Sequence, residues 1–345
     1  MKIMNINLQE RMNHYHVTGL SMALINQGQM KMAEGFGILE EGTLRGVSEQ
    51  TIFNACSMSK FLTSMLVMTL VDQGILDLDE DVNKKLVSWK IHESDFTISS
   101  KVTLRSLLSH QSGIIDPEGS FGELDSSYRL FTIADLLEGK TPYCKEAIKI
   151  SYEPESDFRY SDAGYCVIQQ VVEDSIGKPF KSIMQEYIFK PLNMDNSFLV
   201  RSLSDIKDKD FSCGHNKNGS IAEAKYPIYP YLAAAGLWTT PTDFAKLVLE
   251  LISSLNGNST IGLSKNRAKD LITSQGCKQW AGLGVFLEGS GQSLEISSLG
   301  WGKGFQCMMV AYPYLGSGAV MMTNTDLGTH QMNGLIGEIY KSLEL

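Results

Sequence analysis

The spacing of apolar positions divides this chain into three stretches. Residues 3–16 carry a helical pattern, and the nearly continuous apolar run from Gly19 to Gly28 predicts a buried strand ending in a turn. Gln29 to Gly37 follows as its hairpin partner. Thr51-Ile-Phe-Asn-Ala-Cys56 predicts a short extended entry to an apolar segment from Met58 to Gln73, with Gly74 at a C-cap position. Phe61, Leu62, Met65, Leu66, Val67, Met68, Leu70 and Val71 cover almost every side of that helix, the pattern of a helix placed inside a protein.

From about residue 76 to 230 the pattern changes to helical pieces and long polar connections, punctuated by Pro117, Pro142, Pro154, Pro179, Pro191, Pro227 and Pro230. The β signal returns in Ala281–Glu288, Ser293–Leu299, Phe305–Tyr312 and Ala319–Thr323, and a last helix is predicted over 328–343. Strands at both ends with helices between them predict an α+β fold of the α/β-sandwich type. One antiparallel sheet is built from residues 1–75 and 231–345 and flanked by helices, and 76–230 is an inserted all-helical domain.

Composition narrows the function classes. With 345 residues, 43% hydrophobic and 20% charged, the chain has ample material for a core. The formal charge of −9, from Asp+Glu 39 against Lys+Arg 30, excludes a main role in neutralising nucleic acid or anionic lipid. Asn5, Asn7, Gln9, Glu10 and Arg11 interrupt any signal-peptide core, and no run reaches the ~18 apolar residues of a membrane span. The chain as it stands is therefore expected to be cytoplasmic, or a mature form whose leader has been removed. Six cysteines lie far apart, without metal-ligand spacing, and are expected to be free and mostly buried.

Candidate chemistry starts at Ser57-Met-Ser-Lys60. A serine hydroxyl is a poor nucleophile until its proton is removed, and at the start of a helix residues i and i+3 share a face, so the Lys60 amine can reach the Ser57 oxygen. The helix N-terminus adds backbone N–H groups suited to a developing oxyanion. The same spacing recurs at Ser175-Ile-Gly-Lys178 and Ser204-Asp-Ile-Lys207, but only Ser57 stands at a strand-to-helix junction; the alternative role for Ser57 is a plain helix N-cap. No G-x-S-x-G is present, His92-Glu93 lacks a second histidine, and Gly300 to Gly304 lacks the G-K-[ST] ending of a phosphate loop. His110 is expected to be structural.

Five further segments, Leu107-Leu-Ser-His-Gln-Ser-Gly113, Phe158-Arg-Tyr-Ser-Asp-Ala-Gly-Tyr165, Pro191-Leu-Asn-Met194, Ala235-Gly-Leu-Trp-Thr-Thr240 and Gly300-Trp-Gly-Lys-Gly-Phe305, occur in an order that resembles the serine β-lactamase and penicillin-binding-protein-like family. The likeness is to the branch with class C β-lactamases, D-amino-acid peptidases and serine esterases. It implies serine hydrolysis through an acyl-enzyme on an ester, amide or small, possibly D-amino-acid, peptide, with no metal or organic cofactor. Ser57 matches the nucleophile, Lys60 its partner, and Tyr160 the tyrosine of the Y-x-N motif, which shares the general-base role and later protonates the leaving group. The backbone N–H groups of Ser57 and Trp301 match the oxyanion hole, and Asp162, Ser298 and Gly300 are the expected substrate contacts. An acyltransferase, a weak β-lactamase and a non-catalytic ligand-binding module are the alternatives on the same fold.

Two positions depart from the family pattern. The third motif, K-T-G in β-lactamases, aligns with Ser298-Leu-Gly300 or, alternatively, with Trp301-Gly302; either way its lysine is absent, and β-lactams are expected to be poor substrates. Asp162 stands where the family usually has Asn. At about 4 Å a carboxylate interacts with a unit charge by roughly 4 kcal/mol at an effective dielectric near 20, or about three pKa units. Close to Lys60, an ionised Asp162 keeps the amine protonated and opposes a Tyr160 phenolate; Arg159, solvent or a cationic substrate are the groups that would offset it. Both departures make the site more negative, which predicts neutral or cationic acyl donors.

Overall fold

The computed structural model describes residues 6–124, 131–206 and 209–344. Its centre is a six-stranded antiparallel sheet drawn from both ends of the chain. The strands are β1 (Gly19–Asn26), β2 (Gln29–Gly37), β3 (Phe286–Glu288), β4 (Glu295–Gly302), β5 (Phe305–Tyr312) and β6 (Ser317–Thr323), in the order β2-β1-β6-β5-β4-β3. Central β1 pairs with β6 through Leu24↔Ala319 and with β2 through Ala23↔Ala33. Its near-continuous apolar run is explained by burial on both faces, whereas edge strand β2 is half-exposed and correspondingly polar.

Alternation along β1 feeds two cores. Met22 and Leu24 face a smaller cluster with Met12, Leu335 and Ile339, contributed by α1 (Leu8–Tyr15) and the C-terminal helix Leu335–Ser342. Ala23 and Ile25 face the main core, which encloses α2 (Ser59–Asp72). Every residue of α2 from Ser59 to Val71 is buried, as its all-round apolar sequence requires. Ahead of α2 the chain makes a 3₁₀ turn at Cys56–Met58.

The middle segment is helix-rich, with α3 (Asp162–Ile176) its longest described helix, but it is not purely helical. Phe198–Leu199 pairs with Leu237–Thr239, and His215–Asn216 pairs with Thr325–Asp326, joining this segment to the chain that follows it. Two-residue strands carry no alternation to read, and their tertiary partners define them. The segment 281–288 also differs from expectation: only Phe286–Glu288 is strand, because Gly284 takes a positive φ and turns the chain back. At the C-terminus a short 3₁₀ turn, Gln331–Asn333, precedes Leu335–Ser342. Residues 3–5 of the expected opening helix, and Lys207 of the third S-x-x-K match, lie outside the described residues. Among the described residues no helix is long and apolar enough to cross a membrane.

Candidate active site

The Ser57 turn is strained in a way that presents its side chain. Cys56, immediately before it, has φ +47, an uncommon conformation for a residue with a Cβ. Asn54 holds that turn by accepting from the Cys56 N–H at 2.8 Å and donating to the Pro227 carbonyl at 2.9 Å. Ser59 closes it, donating to the Cys56 carbonyl at 2.6 Å and accepting from the Leu237 N–H at 3.0 Å. The residue capping α2 is Met58, so Ser57 is not the helix N-cap.

Lys60 lies one turn on and is 3% exposed. Its Nζ donates to Ser57 Oγ at 3.3 Å, to the Ala234 carbonyl at 3.0 Å and to Asp162 Oδ1 at 2.5 Å, and stands 4.8 Å from the centre of the Tyr160 ring. Burial pulls the ammonium pKa down, but the opposing charge of Asp162, with Tyr160 and the hydrogen bonds, carries the net value above the ordinary lysine range. Lys60 is thus held as a cation. Arg159 does not offset Asp162, because its guanidinium pairs with Asp157 at 3.3 Å.

Tyr160 is 43% exposed as a residue, yet its hydroxyl is turned inward to Ser57 and Lys60. Desolvation, reinforced by Asp162, raises the phenol above its usual value against the opposing Lys60 charge and the hydrogen bonds. His110 stacks on Tyr160 with ring centroids 4.3 Å apart and accepts the Ser161 N–H through Nδ1 at 3.1 Å. Burial, then the Lys60 charge, holds this imidazole well below its normal pKa, a neutral prop for the Tyr160 loop.

That loop has a second anchor, Asp116, which sequence reasoning missed. Its carboxylate accepts from Ser161 Oγ at 2.6 Å, from the Asp162 N–H at 2.7 Å and from the Ala163 N–H at 3.2 Å, serving the first turn of α3. Burial and the like charge of Asp162 raise its pKa, while these hydrogen bonds oppose the rise. The only sequence signal is an acidic residue three positions after Gly113.

The opposite wall is β4. Ser298 is buried and shares an open cleft with Ser57, Lys60, Ser109 and Tyr160. Gly300 runs so close to the nucleophile's turn that a Cβ there would overlap the Ala55 carbonyl oxygen and the Cys307 sulfur. Ser298 and Gly300 therefore share the β4 face turned towards Ser57. The Trp301 side chain, on the other face, is 45% exposed and donates to Asp326 at 2.8 Å. This favours Ser298-Leu-Gly300 as the counterpart of the third motif.

The other S-x-x-K match is not assembled into a site: Ser175 Oγ is buried without a hydrogen-bond partner, and Lys178 pairs with Glu186 at 2.6 Å. Five cysteines are buried free thiols, and Cys277 is exposed. Among the described residues no group of three or more His, Cys, Asp or Glu side chains is gathered to hold a metal ion.

With this geometry in place, residues 5–339 match the model of the beta-lactamase family. The chain belongs to the beta-lactamase family. Among its curated relatives, the penicillin-binding protein 4 of Amycolatopsis lactamdurans is 28% identical over 54% of this chain and 46% of its own length. The teichoic acid D-alanine hydrolase of Staphylococcus aureus (strain MRSA252) is 26% identical over 67% of this chain and 53% of its own. The chain thus spans about half the length of these curated family members. Among solved structures, the octameric penicillin-binding protein homologue from Pyrococcus abyssi superposes with a TM-score of 0.76 at 22% identity, covering 96% of this chain and 74% of that one. The D-amino acid amidase from Ochrobactrum anthropi SV3 superposes with a TM-score of 0.75 at 19% identity, covering 97% of both chains. At these identities the superpositions establish the family fold.

Proposed function

We propose that this protein is a serine hydrolase that forms a covalent acyl-enzyme on an ester, amide or small peptide. The observation that carries the reading is the 3.3 Å contact of Lys60 Nζ with Ser57 Oγ at the floor of an open cleft. Ser57 Oγ attacks the acyl carbon and passes its proton to the Tyr160 phenolate, a minor form whose population grows with pH. The Lys60 ammonium stabilises that phenolate and the serine oxygen. The N–H groups of Ser57 and Trp301 receive the developing oxyanion, and Tyr160 returns the proton to the leaving alkoxide or amine. Water, activated by the same tyrosine, then cleaves the acyl ester and frees Ser57. The names of the relatives, a D-alanine hydrolase and a D-amino acid amidase, support D-aminoacyl esters and amides as donors.

A fluorophosphonate probe with peptide mapping tests the mechanism. The expected result is one labelled serine, Ser57, and no label in Ser57→Ala. A label on another serine, or none at all, removes the mechanism.

A further inference from the structure

The cleft beside Ser57 is chemically lopsided. Ser57, Lys60, Ser109, Tyr160 and Ser298 give it a polar side, and Phe158, Val285 and Phe286 an apolar one. Trp280 backs this second side, with its ring 4.5 Å from Phe158 and 6.0 Å from Phe286, centroid to centroid. Trp280 and Phe286 are brought together by the turn 281–286, and Phe158 joins them from the Tyr160 loop. That turn is seated on two helices: the Gly284 N–H donates to the Leu108 carbonyl, at the end of the helix Leu104–Leu108, at 3.0 Å, and its φ of +76 lets the backbone pass against Ser64 of α2, where any Cβ would overlap the Ser64 hydroxyl. Ala281 bridges to Phe286 across the turn, and the Gly282 N–H donates to the Val285 carbonyl at 2.9 Å. The apolar wall is therefore preorganised relative to Ser57.

Charge in the cleft is already spoken for. Among the described residues Lys60 is the only charged side chain lining it, and its ammonium N–H groups point to Ser57 Oγ, the Ala234 carbonyl and Asp162. Beyond the lining, Arg159 and Lys278 share Asp157, at 3.3 and 3.1 Å, and Lys303 is paired with Glu123. A substrate carboxylate entering the cleft would lose its hydration without gaining a free cation.

Resting on the hydrolase reading above, we propose that Phe158, Trp280 and Phe286 form the acyl-binding wall, and that the acyl group transferred to Ser57 carries no anionic group and bears an aromatic or branched apolar substituent. The leaving group points away from this wall, to the open mouth of the cleft. Phe286 is the specificity-determining residue because, of the three aromatic residues, it alone both lines the cleft and belongs to the turn fixed by Gly284.

Two pairs of p-nitrophenyl esters with a common leaving group test this. Phenylacetate against acetate measures the aromatic wall, and hexanoate against the hydrogen adipate monoanion measures the rejection of charge at matched chain length. The expected kcat/KM is at least about tenfold higher for the first member of each pair, the discrimination an apolar pocket can give. Phe286→Ala lowers the phenylacetate-to-acetate ratio at least about fivefold, and Phe286→Leu, which keeps the turn apolar, lowers it less. Equal rates within either pair, or a ratio unmoved by both variants, overturn the proposal while leaving the hydrolase intact. No turnover of any ester together with no fluorophosphonate label on Ser57 overturns both.

Discussion

The Lys60 ammonium and the Asp162 carboxylate, 102 residues apart in the chain, meet at 2.5 Å beside the Ser57 hydroxyl. This ion pair changes the charge balance expected from sequence. Asp162 adds no free negative charge for a cationic substrate, because Lys60 takes it up. Its effect falls instead on proton inventory, since it raises both Lys60 and Tyr160. Tyr160 must lose its proton, beside a Lys60 that stays an ammonium, for Ser57 to be activated, so kcat/KM for acylation rises with pH on an alkaline limb. Removing the carboxylate lowers both pKa values, so Asp162→Asn moves that limb to lower pH. Asp162 is 28% exposed, so solvent screens part of its interaction and the shift is smaller than that of a fully buried pair. Profiles of kcat/KM against pH for the two proteins check this; superimposable limbs would mean that the pair does not control activation.

Ser57→Ala abolishes turnover with little loss of stability. The Ser57 side chain does not cap α2, and the turn is held by Asn54 and Ser59, which the substitution leaves untouched. A loss of unfolding free energy of about 0.5–1.5 kcal/mol is expected, that of the hydrogen bond Lys60 gives to Ser57. Denaturant unfolding alongside an activity assay separates the two effects, and a large loss of stability would assign Ser57 a structural role.

Much of this arrangement is legible in the sequence because it depends on local pattern. The continuous apolar run of β1, the all-round apolar α2 and the spacing of Ser57 to Lys60 each encode their own surroundings. Asp116 is different: nothing near it in sequence says that its carboxylate will meet the start of α3, 46 residues on, and the contact exists only once the two segments have packed together. The turn at 281–286 was hidden for a related reason. Its apolar residues look like strand, and the positive φ at Gly284 is imposed by contact with Ser64 on α2. The two-residue strands of the middle segment likewise take their identity from their partners.

Asp116 is a positioning residue for the Tyr160–Asp162 loop. Asp116→Ala strips three hydrogen bonds from Ser161, Asp162 and Ala163, at an expected cost of about 2 kcal/mol. Because it frees the loop that carries Tyr160, kcat should fall more than KM rises, and the alkaline limb should move as the Lys60–Asp162 geometry loosens. Asp116→Asn keeps one acceptor oxygen and should recover part of kcat. A loss of stability with kcat and the pH profile unchanged would restrict Asp116 to a purely structural part.

β-Lactams should be poor substrates. Ser298 offers one hydroxyl where K-T-G offers a cation, and a missing charge-assisted hydrogen bond removes about 1.5–3 kcal/mol, or roughly tenfold to a hundredfold in affinity. Benzylpenicillin hydrolysed as efficiently as an activated ester would refute this. Ser298→Lys places an unpaired ammonium in the cleft and should raise acylation by carboxylate-bearing ligands.

Gly300 sets how closely β4 approaches the nucleophile. A Cβ at this position would overlap both the Ala55 carbonyl oxygen and the Cys307 sulfur. Gly300→Ala forces one of these neighbours to move. Cys307 is buried in β5, paired with Gly300 across the sheet, and Ala55 is held by its N–H to the Leu237 carbonyl at 2.9 Å, so neither yields easily. The strain is relieved most simply by β4 drifting away from the Ser57 turn, which carries the Trp301 N–H out of reach of the oxyanion. Stability should drop by about 1–3 kcal/mol, the cost of overpacking a tight site. kcat should fall on the order of a hundredfold, as when one oxyanion donor is lost. Fluorophosphonate labelling of Ser57 in the folded variant should slow in parallel, because phosphonylation uses the same oxyanion contacts. A stable Gly300→Ala protein with undiminished labelling and turnover would show that β4 does not need this close approach.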